Sequence, residues 1–529
     1  MTFSMRTPLK AAVLGVIALC MTLAGAANAA SVLRRGTASE PPSIDPHLAA
    51  GDSSSVIIDD LFVGLMTSGP KGELVYGVAE SHELGEDGVT YTFKLRPGLK
   101  WSDGAKLDSS DVVYSFRRLM NPATAARYAG NFYMIRNAAE VNTGKLPVEE
   151  LGVRAVDPLT VEIVLERPTP YFLEILRSNA AVVVPRHAIE AHDKAWTRAG
   201  RMVSNGAYRL VEWLPNTLLK MERNQHYWKA DQVKIDSVIY YPASDLGTML
   251  KRYQAGELDI IFNFPPEQIE AVRANLSKDL RVVPDYGLFY WLMNGKTAPF
   301  NDPRVRKALA ISIDKEAITK RLLKDTVEPA WGVVPTGFSE YESQVTDYDR
   351  IPLKERQAEA RKLLEAAGYG PRKPLEFEIR FDSREEPRQI AVAMASMWSA
   401  IGVKAKMRTS DFRSLTADVA RGNFQMARYQ WFAPFQDPAT FVNLLRGDSR
   451  TNHSGYDNPK VDEILQAADA QTDQAKRMKL MAEAEKLAMA DHPIIPIYYP
   501  VARRLIKQRV EGWASFPGGK VKSEYLSLR

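Results

Sequence analysis

The 529-residue sequence contains a single cysteine, Cys20, and therefore cannot form an intrachain disulfide. Its seven histidines are dispersed, and neither HExxH nor CxxC occurs, which argues against a zinc centre. GxSxG and Walker A sequences are also missing, and spacing alone marks no pair of carboxylates as acid and base. We therefore predict no catalytic residues, no metal and no cofactor.

Long apolar runs are missing except near the N terminus. Arg6 and Lys10 precede an apolar run over 11–24, and the small-residue sequence ANA follows, ending at Ala29. This order is typical of a secretory signal peptide, and the run is shorter than the ~20 residues that span a bilayer. We expect cleavage after Ala29 and export of the mature protein.

A strong excess of one charge sign is missing too. The formal net charge is +5, and loss of the signal peptide with Arg6 and Lys10 leaves +3. That value is too small for a nucleic-acid-binding surface, so no nucleic acid partner is expected. The chain length exceeds one hydrophobic core and predicts two or three domains.

Extended and helical patterns alternate along the chain, which indicates an α/β protein. Tyr91–Leu95 alternates apolar and polar residues as a strand does, and Asp108 can cap a following helix. Further helices are predicted over 302–318, with Asp302 as N-cap and Pro303 in the first turn, over 353–367 and over 473–490. The run IIPIYYP suits the start or edge of a strand, because proline cannot donate to a ladder.

Several segments together carry a family resemblance. They include EPPSIDPHLAAGDSSSVIIDDLFVGL (40–65), SNGAYRLVEWLPNTLLKMERNQHYWKA (204–230), APFNDPRVRKALAISIDKEAI (298–318) and HPIIPIYYPVARRLIK (492–507). In this order they resemble the periplasmic oligopeptide- and dipeptide-binding proteins that serve ABC importers. The resemblance implies a periplasmic-binding-protein-like α/β fold of the large, three-domain class, with two lobes joined by a hinge.

The resemblance also implies a division of the chain and a mechanism. Lobe I is expected to comprise 30–62, 186–285 and 504–529, the extra domain II 63–185, and lobe III 286–503. A solute trapped between lobes I and III would stabilise the closed state, and an extended peptide would pair with strand edges. The expected edges are Ala49–Ser54 and Gln430–Ala433, and the expected partners are a peptide-like ligand and an inner-membrane ABC permease complex. We expect a monomer.

The residues expected to contact ligand come from both edges and from aromatic segments near the cleft. They are Gly51, Asp52, Ser53, Tyr128, Tyr290, Asn294, Arg428, Gln430, Trp431, Phe432 and Phe435. For Arg428 two hypotheses remain open: a receptor for a ligand carboxylate, held against aromatic faces, or an ion pair inside the lobe.

One position departs from the family pattern. In the peptide carriers an aspartate shortly after the tryptophan at 431 pairs with the α-amino group of the peptide, and here that place holds Pro434. A histidine and an acidic residue of the family are likewise replaced by Pro387 and Ala50. Asp52 is a candidate substitute, whereas Asp437 is expected to cap a helix beginning at Pro438.

Three alternatives to a general peptide carrier follow. A specialised carrier of a modified solute, such as an opine-like conjugate or a murein peptide, would explain Pro434. An exported hydrolase would show turnover that depends on one serine or carboxylate. A receptor or chaperone-like protein would use the same cleft without transport.

Overall fold

The computed structural model describes residues 30–243 and 245–529; the predicted signal peptide, 1–29, lies outside the described residues. The strands are Val32–Thr37, Met66–Ser68, Leu74–Tyr76, Ala79–Leu84, Thr90–Leu95, Val153–Asp157, Thr160–Val164, Tyr208–Leu214, Leu218–Arg223, Ser237–Pro242, Ile260–Ile261, Leu280–Pro284, Gly287–Met293, Glu328–Pro329, Leu375–Asp382, Val403–Ser410, Met426–Phe432, Ile494–Tyr499, Val501–Ile506, Val510–Glu511 and Ser527–Leu528. The α-helices are Asp52–Leu61, Ser109–Met120, Ala138–Asn142, Phe172–Ile175, Arg186–His192, Leu246–Gln254, Ile269–Asn275, Pro303–Ile311, Leu353–Ala366, Glu385–Ser399, Phe412–Ala420, Ala439–Val442, Pro459–Asp469 and Gln474–Ala490.

Three larger sheets organise these elements. The seven-stranded sheet has the spatial order Leu280–Pro284, Val501–Ile506, Ile260–Ile261, Val32–Thr37, Ser237–Pro242, Leu218–Arg223, Tyr208–Leu214. The six-stranded sheet has the order Glu328–Pro329, Ile494–Tyr499, Gly287–Met293, Met426–Phe432, Leu375–Asp382, Val403–Ser410. The four-stranded sheet has the order Ala79–Leu84, Thr90–Leu95, Thr160–Val164, Val153–Asp157. Below, lobe I, lobe III and domain II denote the parts of the structure that contain the seven-, six- and four-stranded sheets.

The predicted helices occur, with one difference in length. Asp108 and Asp111 form a capping box at the start of helix Ser109–Met120, as the sequence indicates. The helix with Asp302 as N-cap ends at Ile311 rather than near 318. It ends early because a new turn starts at Asp314, whose carboxylate accepts the Ala317 N–H at 2.9 Å.

The core of lobe III surrounds the strand Gly287–Met293, which is buried along its whole length. Phe289 and Trp291 pack into the core on the side of helix Glu385–Ser399. Leu288 and Leu292 face the opposite cluster, which includes the helix Gln474–Ala490. The alternation of side chains therefore places apolar residues on both faces of a sheet that is covered by helices on both sides.

Two short connections join lobe I to lobe III. Asp285 and Tyr286 link strand Leu280–Pro284 to the next strand of lobe III, and Pro500 links the strands on its two sides. The Asp285 N–H donates to the Pro500 carbonyl at 2.9 Å, so the two connections touch. A Cβ at Gly287 would lie 2.6 Å from Pro500 Cγ, and glycine is therefore required at this close approach. We call these residues the hinge. Among the described residues, no helix combines the length and apolar character needed to cross a bilayer.

Candidate functional site

A cavity of about 710 Å³ lies where lobe I, domain II and lobe III meet. Asp285, Tyr286 and Arg504 of the hinge region line its floor. The helix that begins at Asp52 provides one wall, and residues 432–436 of lobe III provide the opposite one. A cavity of this size lies in the range of small-solute sites, and it lies at a boundary between domains, where such sites are common.

The prediction of a strand edge at Ala49–Ser54 is wrong. Gly51, with φ of 80°, ends the preceding loop, and Asp52 begins the α-helix Asp52–Leu61. Asp52 stands in the first turn, where the helix dipole favours a negative charge. Gly51 and Asp52 line the cavity, but Ser53 does not: it is 7% exposed and its Oγ lies 3.0 Å from Ser39 Oγ. This side of the cavity therefore presents a helix start instead of a row of backbone groups in extended conformation.

The second predicted edge falls on a strand, Met426–Phe432. This strand pairs with Gly287–Met293 over its whole length, but with Leu375–Asp382 only at Met426 and Ala427. From Arg428 onward its second edge has no strand partner in the part of the chain that the structure describes. Free backbone groups at such an edge suit an extended ligand, and the use of Gln430–Ala433 as a binding edge stays a prediction.

Arg428 lies inside lobe III and does not line the cavity. Its side chain is 2% exposed, Nη1 lies 3.3 Å from Asp382 Oδ2, and the guanidinium stacks 4.5 Å from the centroid of the Phe289 ring. Burial, together with the neighbouring Arg384, lowers the pKa of Arg428 to about 10. Nη2 donates to Gln430 Oε1 at 2.5 Å, which holds Gln430 away from the cavity as well. The structure thus favours the lobe-internal ion pair over the ligand receptor.

Tyr290 and Asn294 also lie away from the cavity. Tyr290 is 1% exposed and packs edge-to-face on Tyr429, with ring centroids 6.0 Å apart. Asn294 is 6% exposed and donates from Nδ2 to the carbonyls of Gly422 and Phe424 at 3.1 and 3.0 Å. Both side chains therefore stabilise lobe III. Tyr290 belongs to the buried strand Gly287–Met293, and Asn294 follows that strand directly.

Trp431 and Phe432 point to opposite faces of their strand. Trp431 is half-buried against the core beside helix Gln474–Ala490, and its Nε1 donates to Thr440 Oγ1 at 3.0 Å. Phe432 is 50% exposed and lines the cavity. Of the two neighbours, Phe432 presents its ring to the cavity in the described conformation.

Phe435 of lobe III contacts domain II beside the cavity. Its ring stacks on Tyr171 of domain II, with centroids 4.9 Å apart and planes 5° apart. Tyr128, also of domain II and 40% exposed, lines the cavity with Phe435. Aromatic rings therefore line the cavity on the side formed by domain II and lobe III, and Phe262 and Phe516 add two rings from lobe I.

Pro434 lies on the cavity wall between Phe432 and Phe435. Asp437 does not compensate for the missing carboxylate, because both of its oxygens accept from Arg477 at 2.7 Å and it caps the Ala439 N–H at 2.8 Å. The wall formed by 432–436 therefore carries no formal charge.

Charged residues line the cavity at the hinge side and also on domain II, where Glu174 and Arg177 lie, and sequence analysis singled out only Asp52 among them. Lys520 Nζ lies 2.6 Å from Asp52 Oδ1, and the positive charges of Lys520 and Arg504 lower the pKa of Asp52. Burial raises the pKa of Asp285, which faces the same two cations at longer range. Asp59 lines the cavity as well. These residues stand in loops, in a helix and on a strand far apart in sequence, so no local motif could have brought them together.

The described residues contain no group of three or more His, Cys, Asp or Glu side chains arranged to hold a metal ion. The cavity combines aromatic rings, the uncharged wall 432–436 and charged side chains of both signs.

Comparison with known proteins identifies the family to which this chain belongs. The model of the bacterial extracellular solute-binding proteins, family 5, middle region, matches residues 73–453. The chain belongs to this family. It is 34% identical over 485 residues to the periplasmic oligopeptide-binding protein OppA of Salmonella typhimurium, which covers 91% of this chain and 89% of the relative. The cavity of this family 5 member is therefore the candidate site for a solute.

Solved structures of the family also bear on the conformation. The unliganded open form of the murein tripeptide-binding protein MppA superposes with a TM-score of 0.86 at 33% identity, covering 94% of this chain and 97% of the other. Haemophilus influenzae OppA in complex with the peptide RPPGFSPFR gives 0.75 at 32% identity, covering 94% and 99%. At almost equal identity, the chain therefore superposes more closely on this unliganded open form than on the peptide complex.

Proposed function

We propose that this protein is the substrate-binding component of an ABC importer, which binds peptides or peptide-like solutes in the cavity at the hinge and delivers them to an inner-membrane permease complex. The observation that carries the proposal is the position of the cavity. A solute that contacts the helix start at Asp52 and the aromatic wall at Phe432 would touch both lobes, and would thereby stabilise the closed state.

The same proposal includes the location and organisation of the chain. We propose export to the periplasm with cleavage after Ala29 and a monomeric mature protein. We also propose lobes limited as the resemblance implies, except that lobe III ends at Pro500, because strand Val501–Ile506 belongs to the seven-stranded sheet of lobe I. The relatives in the family are solute-binding transport proteins, and binding without turnover is proposed for this chain.

The choice between a general and a specialised carrier depends on Pro434. An ammonium group buried against the uncharged wall 432–436 would lose its hydration without a counter-charge, which costs several kcal/mol. This favours a modified or conjugated solute, or a peptide held in another orientation. The similarity to the murein tripeptide-binding protein MppA is compatible with both.

Native mass spectrometry of the purified mature protein, followed by titration calorimetry with defined tri- to pentapeptides, tests the proposal. We expect a retained or added ligand and, on binding, a decrease in the radius of gyration measured by small-angle X-ray scattering, because closure makes the molecule more compact. A protein that binds no solute, or that hydrolyses the peptides, would contradict the proposal.

A further inference from the structure

Charged side chains of both signs gather where lobe I meets the hinge. Asp52, Asp59 and Asp285 interact through space with Lys520, which raises the pKa of the lysine against the effect of its burial. Elsewhere on the cavity lining, Glu174 pairs with Arg177 at 2.8 Å. The carboxylates of the cavity therefore differ in how directly each one is paired.

The cations are already engaged. Lys520 pairs with Asp52 at 2.6 Å. Arg504, 5% exposed, donates from Nε to the Gly519 carbonyl at 2.7 Å and from Nη2 to the Gly518 carbonyl. Moving either group to another carboxylate would break these contacts, so neither is available without rearrangement.

Asp285 is the carboxylate with the least compensation. Among the described residues, no cation lies within ion-pair distance of it, and the contact that its carboxylate makes is with the adjacent Tyr286 N–H at 2.9 Å. Asp59 also has no cation within that distance, but it accepts from Asn179 Nδ2 at 2.7 Å. Partial desolvation raises the pKa of Asp285, which agrees with a carboxylate that no cation pairs with directly among the described residues.

The backbone of Asp285 is fixed at the point where both hinge connections touch, through its N–H bond to the Pro500 carbonyl. A cation bound to this carboxylate would contact the hinge directly. The uncharged wall with Phe432 and Pro434 lies on the other side of the same cavity.

We infer that Asp285 receives an ammonium group of the ligand, so that the amino end of the solute points to the hinge and its apolar part lies against Phe432, Phe435 and Tyr128. This inference rests on the proposed function, and it names the solute class: peptides or peptide-like compounds with a free primary amine. An ammonium held here forms a charge-assisted hydrogen bond with a carboxylate that has no ion-pair partner among the described residues.

Titration calorimetry with Ala-Ala-Phe and its N-acetylated form tests the inference. Wild type is expected to bind the free tripeptide on the order of 10- to 100-fold more tightly than the acetylated one, since a hydrogen bond between charged groups is lost on acetylation. Asp285→Asn should weaken binding of the free peptide by a similar factor and leave the acetylated peptide unchanged. The inference fails if wild type binds both forms equally, or if the variant weakens both equally.

Asp59→Asn is the matched variant, because it removes a carboxylate of the same cavity that already has a hydrogen-bond donor. It should change the affinity for the free peptide by less than threefold, and a larger loss than that of Asp285→Asn would overturn the assignment.

Asp285→Ser replaces Asp285→Asn if the latter does not fold. If wild type binds neither peptide, 2-phenylethylamine tests the ammonium site separately, and no binding of this amine overturns the inference. The proposed function is then decided by the mass-spectrometry experiment with retained or added solutes.

Discussion

Two buried arginines of lobe III, Arg428 and Arg477, are held in different ways. Arg477 is 1% exposed and forms two parallel hydrogen bonds with Asp437, each of 2.7 Å. Arg428 is 2% exposed, but its ion pair with Asp382 measures 3.3 Å, and its Nε and Nη1 have no hydrogen-bond partner among the described residues. Asp382 also accepts two hydrogen bonds from the Arg384 guanidinium, at 2.5 and 3.1 Å.

The comparison shows that burial of a charge does not by itself indicate a role. Arg477 has a dedicated carboxylate, and together they fix the segment after the cleft wall to the helix Gln474–Ala490. Arg428 shares its carboxylate with Arg384 and also contacts the Phe289 ring. The bidentate pair lies after Pro434 in the chain, and Arg428 with its shared carboxylate lies before it.

Removing the two carboxylates one at a time tests whether the two arginines depend on them to different degrees. Asp437→Asn leaves Arg477 buried without its counter-ion and is expected to lower the free energy of unfolding by about 3–5 kcal/mol. Asp382→Asn should cost about half as much, because Arg428 keeps the Gln430 amide and the Phe289 face. Urea denaturation of the full chain, followed by tryptophan fluorescence, measures both.

Lys479→Met provides the control for these variants, since Lys479 is exposed on the same helix as Arg477. It should change the free energy of unfolding by less than about 0.5 kcal/mol. An Asp382→Asn variant that is as destabilised as Asp437→Asn would show that the two arginines depend equally on their carboxylates.

A third buried ionisable group, Glu485, differs from both arginines, because no cation pairs with it among the described residues. It is 0% exposed and accepts from the Val333 and Val334 N–H groups at 2.5 and 3.1 Å and from the Tyr341 hydroxyl. Burial raises its pKa from the ordinary 4.5 to about 7. The folded protein therefore binds more protons than the unfolded chain between these values, and the stability that Glu485 contributes is lost as pH rises through about 7.

The expected size of this loss is about 3 kcal/mol between pH 5 and 8, from about 1.36 kcal/mol for each unit of pKa difference. Glu485→Gln keeps an acceptor for the backbone and abolishes the titration, so the difference in free energy of unfolding between wild type and variant should change across this range. Glu483→Gln, an exposed neighbour on the same helix, serves as control and should show no such change. Parallel pH profiles of wild type and Glu485→Gln would contradict the prediction.

The secondary structure of the chain follows closely from local sequence, whereas the site does not. Asp108 and Asp302 cap helices where predicted, because capping involves residues only two or three positions apart. The family resemblance supplied the fold class, which the solved relatives confirm. It failed at Ala49–Ser54, where Gly51 and Asp52 start a helix.

The charges of the cavity floor could not be predicted from patterns. Asp52, Asp285 and Lys520 meet only because the hinge brings three distant segments together. In the same way, Arg428 is an internal residue because Asp382, 46 positions earlier, lies beside it in the folded sheet. Spacing along one segment contains no information on such contacts.

The smallest expected effect concerns the end of the strand that carries Arg428. Phe432→Ala removes a ring that is half exposed and should lower the free energy of unfolding by less than about 0.5 kcal/mol, while weakening solute binding because the ring lines the cavity. Trp431→Ala removes a half-buried ring and its hydrogen bond to Thr440, and should cost about 1–2 kcal/mol. Urea denaturation of the ligand-free protein and calorimetry with the solute identified by mass spectrometry separate the two effects. If Phe432→Ala destabilises the ligand-free protein more than Trp431→Ala does, the strand presents the opposite face to the cleft, and Trp431 becomes the contact residue.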